Sequence, residues 1–350
     1  MYYGRLRVLA ASVVATACCS YVASPATAQQ PAQQPTQQPS KPATDSQSEE
    51  PRETLQVNVN VVNVFCNVKD KRGALIPDLK KDDFELYEDD VKQNIKYFGA
   101  ETNQPLTLGL LIDASGSQQR VLGMEQQVGG AFLQEVLRPK DMAFLISFDV
   151  NVELLQDYTA SARDLKRAMD RVKINVGGST PGGGVPGVGQ GPFPTSNMPR
   201  GTLLYDAIYL AAQEKLAREV GRKAMIILTD GADFGSRLKI QDAIEAAQKA
   251  DSIVYVLLIA DRGFYGGGYS GDSEMKKLTK DTGGRVIEVG DDREKLEKAF
   301  DQIADELRTQ YNLGYTPLNR KKDGGFRRLE IRSKPGYKVQ ARRGYYAVAD

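Results

Sequence analysis

Residues Leu106–Ser117 read LTLGLLIDASGS. An apolar run of strand length ends on a carboxylate, Asp113, and two hydroxyls, Ser115 and Ser117, follow at alternate positions. Apolar runs without polar alternation belong to strands covered on both faces. A carboxylate and two hydroxyls packed this closely are hard oxygen donors. They suit a small hard cation such as Mg2+, which accepts few protein ligands and keeps several waters. In an open α/β sheet, ligands bind beyond the carboxyl ends of the strands, where this cluster is expected.

Outward from this stretch the pattern alternates between strands and helices. Strands are expected at Leu106–Asp113, Met142–Phe148, Val152–Gln156, Lys223–Thr229, Ile253–Ile259 and Arg285–Val289. Helices are expected near Gly123–Leu137, Ala162–Ile174, Thr202–Glu219, Leu238–Ala250, Glu274–Asp281 and Arg293–Gln310. The last carries Leu296, Phe300, Ile303 and Leu307 on one face and charges on the other, the stripe of a helix packed on a sheet. The fold class is therefore α/β, a doubly wound, mostly parallel open sheet covered on both faces.

Both flanks read as β. Leu55, Val57, Val59 and Val61 alternate with polar residues, and the apolar phase then flips to Val62, Val64, Cys66 and Val68. A flip of phase implies a bulge or a strand crossing between sheets. A turn follows at Asp70–Gly73, and FELYEDDVKQNIKYF reads as a hairpin closed around Glu88–Asp90. The tail returns to strand pattern in YNLGYTP, FRRLEIRS and GYKVQARRGYYA. Neither flank is long enough to build a core alone, and domain termini usually lie close together. Residues 52–103 and 311–350 are thus expected to form one small all-β module, with the α/β domain of 104–310 inserted in it.

Composition removes many activities. The 350 residues contain no histidine and no tryptophan. Ser-His-Asp and Cys-His nucleophilic machinery and His-ligated zinc are excluded, and neither a G-x-S-x-G elbow nor a phosphate loop occurs. Lys and Arg number 46 against 45 Asp and Glu, a net charge of +1, so no global field favours nucleic acid. The basic groups at Arg320–Lys322 and Arg327–Arg328 read as a solvated hairpin face, without the interleaved aromatics of a nucleic-acid surface.

The amino terminus reads as an export signal over residues 1–28. Arg5 and Arg7 precede the apolar run Val8–Ala17, and Ala26-Thr27-Ala28 is a small-residue cleavage site. An uncleaved anchor and a lipoprotein signal at Cys18 are the alternatives. Cleavage after Ala28 leaves no transmembrane span and only Cys66, so no intramolecular disulfide can form; Cys66 is expected to be a small buried hydrophobe. Residues 29–51, rich in Gln, Pro, Ser and Thr, lack the apolar side chains to offset ordering entropy and read as a disordered linker. The expected location is periplasmic, cell-surface or extracellular.

The α/β part resembles a von Willebrand factor type A domain, and the mature chain resembles bacterial secreted von Willebrand factor A-related proteins. That family carries a metal-ion-dependent adhesion site built from D-x-S-x-S after the first strand, a threonine from a later loop and an aspartate after the fourth strand. The resemblance maps these onto Asp113, Ser115 and Ser117 in DASGS, Thr202 in GTLLYDAI, and Asp230 in MIILTDG. It implies Mg2+, with Mn2+ or Ca2+ as alternatives, whose coordination is completed by an Asp or Glu of a protein partner. The implied function is binding or adhesion, not catalysis. A metal-assisted hydrolase and a structural envelope protein with a non-functional site are the rival readings. Thr180, in the Gly/Pro-rich stretch 177–200, competes with Thr202 for the threonine position. That stretch is either a cover over the metal face or a surface insertion, and Phe264–Ser270 is either a contact loop on the same rim or a mobile connection. Asp206 is expected as a first-turn helix residue and Asp233 as a loop residue.

Overall fold

The structure is a computed structural model describing residues 61–100, 104–174, 201–259 and 271–349. The expected signal, the linker, the stretch 177–200 with Thr180, and Phe264–Ser270 lie outside the described residues. Those described fall within one compact unit, Val57–Asp350.

Strand β1 (Val62–Lys69) buries Val64, Cys66 and Val68, the set that follows the phase flip. Asp70 then turns the chain, its Oδ1 accepting from the N–H groups of Arg72 and Ala74 at 2.8 Å each. Strands β2 (Phe84–Glu88) and β3 (Val91–Gln93) form the expected hairpin. Its turn residues Asp89 and Asp90 adopt φ of 47° and 66°, a region aspartate tolerates. The second arm is not continuous. It breaks at Asn94, and β4 (Ile95–Ala100) joins a different sheet.

The α/β part runs β5 (Leu106–Asp113), α1 (Leu122–Val136), β6 (Met142–Phe148), β7 (Val152–Thr159), α2 (Ala162–Met169), α3 (Leu204–Leu210), β8 (Arg222–Thr229), α4 (Ile240–Lys249), β9 (Ile253–Leu258), α5 (Asp272–Thr282), β10 (Val286–Glu288) and α6 (Arg293–Arg308). The sheet order is β10-β9-β8-β5-β6-β7, parallel except for β7, which pairs antiparallel with β6. The cause is the turn at 149–151, where Asp149 N–H donates to the Asn151 carbonyl at 2.9 Å. So short a link permits only an antiparallel return. Helices cover both faces. Leu122, Phe132, Leu165, Met169 and Phe300 of α1, α2 and α6 pack on one, and Leu204, Ile208, Ile244, Met275 and Leu278 of α3, α4 and α5 on the other. Two helices differ from the sequence reading: α2 stops at Met169, and α3 starts at Leu204 and opens after Leu210 into a π turn, Ala211–Lys215.

The chain ends in β11 (Tyr311–Tyr315), β12 (Phe326–Ser333), β13 (Lys338–Ala341) and β14 (Gly344–Tyr346). Two four-stranded antiparallel sheets result, β13-β1-β11-β4 and β14-β12-β2-β3, around one core containing Cys66, Leu86, Ile95, Tyr311, Leu313 and Leu329. Burial pushes the Cys66 thiol up to about 12, so it behaves as a packed, inert side chain.

Helix α6 is tied to this module at its last turn. The Glu306 side chain, 3% exposed, accepts from Lys69 Nζ at 2.8 Å and Arg285 Nε at 2.7 Å. Its second oxygen accepts from Gln340 Nε2 at 3.2 Å, and its backbone carbonyl accepts from Asn67 Nδ2 at 2.7 Å. Among the described residues no helix is long and apolar enough to cross a membrane.

Candidate metal centre

Asp113 closes β5 at the carboxyl end of the sheet and is fully buried. Its Oδ1 accepts from the Ser115 N–H at 2.9 Å, and its Oδ2 accepts from the Thr229 hydroxyl at 2.7 Å. Burial raises its pKa from 3.8 to about 7, the charge of Asp230 adds to the rise, and the bonds from Ser115 and Thr229 oppose it. The chain then makes a single 3-10 turn, Gly116–Gln118. Ser115 and Ser117, on either side of Gly116, stand with their hydroxyl oxygens 2.9 Å apart.

Thr202 reaches the same end of the sheet through its backbone. Its N–H and carbonyl exchange bonds with Phe234, 2.9 Å each, and the Leu203 N–H donates to the Asp149 carbonyl at 2.8 Å. The Thr202 side chain makes no hydrogen bond to another described residue, and the residue is 5% exposed. Asp230 directly follows β8 and is buried, its Oδ1 accepting from the Ala232 N–H at 2.9 Å. Gly231 holds φ at +85°, and its carbonyl lies where a Cβ on Gly271 would stand, at 2.2 Å. Only a glycine pair permits this close approach between the Asp230 loop and the start of α5.

Asp206 and Asp233 have more work than the sequence suggested. Asp206 does lie in the first turn of α3, but its carboxylate accepts from the N–H groups of Arg237 and Leu238 at 3.2 and 3.1 Å. Asp233 accepts from the Tyr205 N–H at 3.1 Å and the Ser236 hydroxyl at 2.5 Å. Together they stitch the start of the Thr202 helix to the loop that follows Asp230. Asp206 acts on backbone and Asp233 on backbone and the Ser236 hydroxyl, and neither is a candidate ligand.

Two further residues were not singled out from sequence. Thr229 is the last residue of β8, and its hydroxyl donates to Asp113. Glu125, on α1, is fully buried, and among the described residues neither of its side-chain oxygens has a hydrogen-bond partner. Burial holds its pKa well above the usual carboxylate range, and the charges of Asp113 and Asp230 push it the same way. The readable signal was its spacing, three residues from both Leu122 and Val128, which are buried on the same helix.

The donors gathered here are all oxygens: the carboxylates of Asp113 and Asp230 and the hydroxyls of Ser115, Ser117 and Thr202. Among the described residues no three of Asp, Glu, His or Cys are grouped closely enough to hold a metal. A cation here would therefore lean on hydroxyls and water, the habit of a small hard ion. The residues fit such an ion in two respects. Asp113 and Asp230 repel one another in a buried setting, and Thr202 keeps an uncommitted hydroxyl.

Fold and cluster together define an α/β module with a mostly parallel six-stranded sheet and an oxygen-donor cluster at the carboxyl ends of its parallel strands. No family model matches the chain, and no curated protein matches it. Among solved structures it is similar to the conserved hypothetical protein BatB from Bacteroides thetaiotaomicron, with 18% identity, 58% of this chain and 99% of that chain covered, and a TM-score of 0.41. It is also similar to proximal thread matrix protein 1 from the mussel byssus, solved with a zinc-occupied MIDAS motif, at 16% identity and a TM-score of 0.46. That match covers 63% of this chain and 50% of the byssus protein. The PilB minor pilin from Streptococcus sanguinis matches at 12% identity and a TM-score of 0.41, with 60% and 62% covered.

Proposed function

We propose that this chain is an exported binding module that holds Mg2+ at Asp113, Ser115, Ser117, Thr202 and Asp230 and captures a protein partner through an Asp or Glu of that partner. The observation that carries the reading is Asp113. A carboxylate fully buried at a strand end, bonded only to neutral groups and facing a second buried aspartate, is stabilised by a cation. A divalent ion held largely by neutral hydroxyls stays electrophilic and accepts one more anionic ligand from outside. The role we propose is binding and not catalysis: a hydrolytic centre needs a general base beside the ion within reach of substrate, the chain has no histidine, and Glu125 is fully buried. Export follows from the signal-like residues 1–28 and places the partner in the envelope or beyond it.

The test is thermal unfolding with Mg2+ or with chelator. Binding to the native state raises the melting temperature by mass action. Wild type is expected to show the shift, and Asp113→Ala is expected to lose it while remaining folded. An equal shift in the mutant would overturn the assignment.

A further inference from the structure

We infer that Glu125 is a further carboxylate of this cation site, acting on the bound ion as an outer negative charge and not as a direct ligand. The inference rests on the proposed cation site and extends it by one residue. Glu125 lies in the first turn of α1, the helix that follows the Ser115–Ser117 turn, and its N–H donates to the Val121 carbonyl at 3.0 Å. Its side chain runs inward, 0% exposed, and both carboxylate oxygens lack a hydrogen-bond partner. Among the described residues no lysine or arginine pairs with it.

A buried carboxylate without a hydrogen bond or counter-charge is among the most costly groups a fold can hold. Satisfied structural carboxylates in this chain look different. Glu88, 2% exposed, accepts from the hydroxyls of Tyr315 at 2.5 Å and Tyr345 at 2.9 Å. Glu306 has two cations and an amide. Glu125 has none of these, and the charged groups that bear on it are Asp113 and Asp230. Three mutually repelling carboxylates at one end of a sheet become mutually supportive once a divalent ion stands among them, because the ion's charge inverts the local field. Among the described residues no three carboxylates are grouped to hold a metal between them, which gives Glu125 the outer position. Gln118, between the serines and Glu125 in the chain, adds a second orphan acceptor: its Oε1 is buried and unpartnered, while its Nε2 donates to the Ile259 carbonyl at 3.4 Å. Outer groups of this kind orient and tune the groups that touch the metal.

The experiment is calorimetric titration of Mn2+ and of Mg2+ into wild type, Asp113→Ala, Glu125→Gln and Glu125→Met, with the metal-free melting temperature of each. Loss of an outer partner weakens metal binding by roughly 10–100-fold. That loss is expected for Glu125→Gln, with a metal-free melting temperature equal to or above wild type, because a neutral amide replaces a buried carboxylate. If the glutamine variant does not fold, Glu125→Met, of similar volume and without a polar group, is read in the same way. Wild-type affinity in a folded Glu125 variant overturns the proposal and leaves the five-residue site standing. Weakened affinity together with a lowered metal-free melting temperature assigns Glu125 to the fold and also overturns it, as does failure of both variants to fold. A wild type that takes up neither metal overturns the cation site itself.

Discussion

Glu306→Gln tests how α6 is fixed to the β module. The substitution keeps the volume and one acceptor oxygen but removes the charge that Lys69 and Arg285 share. Breaking a fully buried ion pair by removing one partner costs about 3–5 kcal/mol, because the other charge is stranded. Here both cations retain some water, with side-chain exposures of 13% and 28%. Each also keeps a neutral acceptor, Gln340 Oε1 for Lys69 at 3.1 Å and Gln302 Oε1 for Arg285 at 2.8 Å. The cost should therefore fall below the buried limit, at about 2–3 kcal/mol, which for a chain of this size lowers the melting temperature by roughly 4–8 °C. The pH dependence has a definite sign. Burial lowers the Lys69 pKa from its ordinary 10.5, while the bond and the charge of Glu306 raise it. Removing Glu306 lowers it further, so the mutant's folded state sheds the Lys69 proton at a lower pH than its unfolded state does. The mutant's deficit should therefore shrink as pH rises from neutrality toward 10.5. Urea unfolding of both chains at several pH values measures it. A deficit below about 0.5 kcal/mol, the scale of exposed pairs, or one that grows with pH, would refute the reasoning.

Asp113 sets a second pH dependence. Its pKa rises from 3.8 to about 7 on folding, so the folded chain holds this proton more tightly. Metal-free stability should fall between these values and level off outside them. The stability of Asp113→Asn in chelator, measured against wild type, should improve steadily across this window; a constant difference would count against it. Two glycines make a contrasting pair. A Cβ on Gly284 would stand 1.9 Å from the Val254 carbonyl oxygen, while one on Gly123, exposed on α1, meets nothing within 4 Å. Gly284→Ala should fail to give soluble folded protein, and Gly123→Ala should stabilise by about 0.5–1 kcal/mol, both read by expression and urea unfolding.

The central sheet was legible because β5, β8 and β9 each carry a run of apolar residues without polar alternation, the pattern of a strand buried on both faces. Asp113, Ser115 and Ser117 were legible for a related reason, since they close or directly follow such a strand, whereas Thr202 and Asp230 were reached only through the family resemblance. What spacing could not show were bonds between distant loops. Asp206 reaches Leu238, and Asp233 reaches Tyr205, only because the two loops are folded together. Glu125 was obscured by its neighbours Gln126 and Gln127, which make α1 look polar there; which side faces inward is decided by the sheet. The π turn after Leu210 has no local signal, since Ala211 and Ala212 suit an ordinary helix equally well.

The pairing of the outer sheets sets an order of assembly. Strand β1 has two neighbours, β11 and β13, and Val62 stands opposite Tyr315. The parallel sheet, by contrast, draws every strand from within 106–288 and can form without either flank. Closing a loop as long as the whole inserted domain carries an entropic cost that rises with the logarithm of its length, and a folded insert shortens that loop by bringing its own ends together. Ala100, where the chain leaves the β module, lies opposite Tyr311, where it returns. The strand VNVFCNVK is therefore made first and paired last. Until β11 arrives it is an open edge, exposed to pairing with other chains, and any truncation before Tyr311 would leave it in that state.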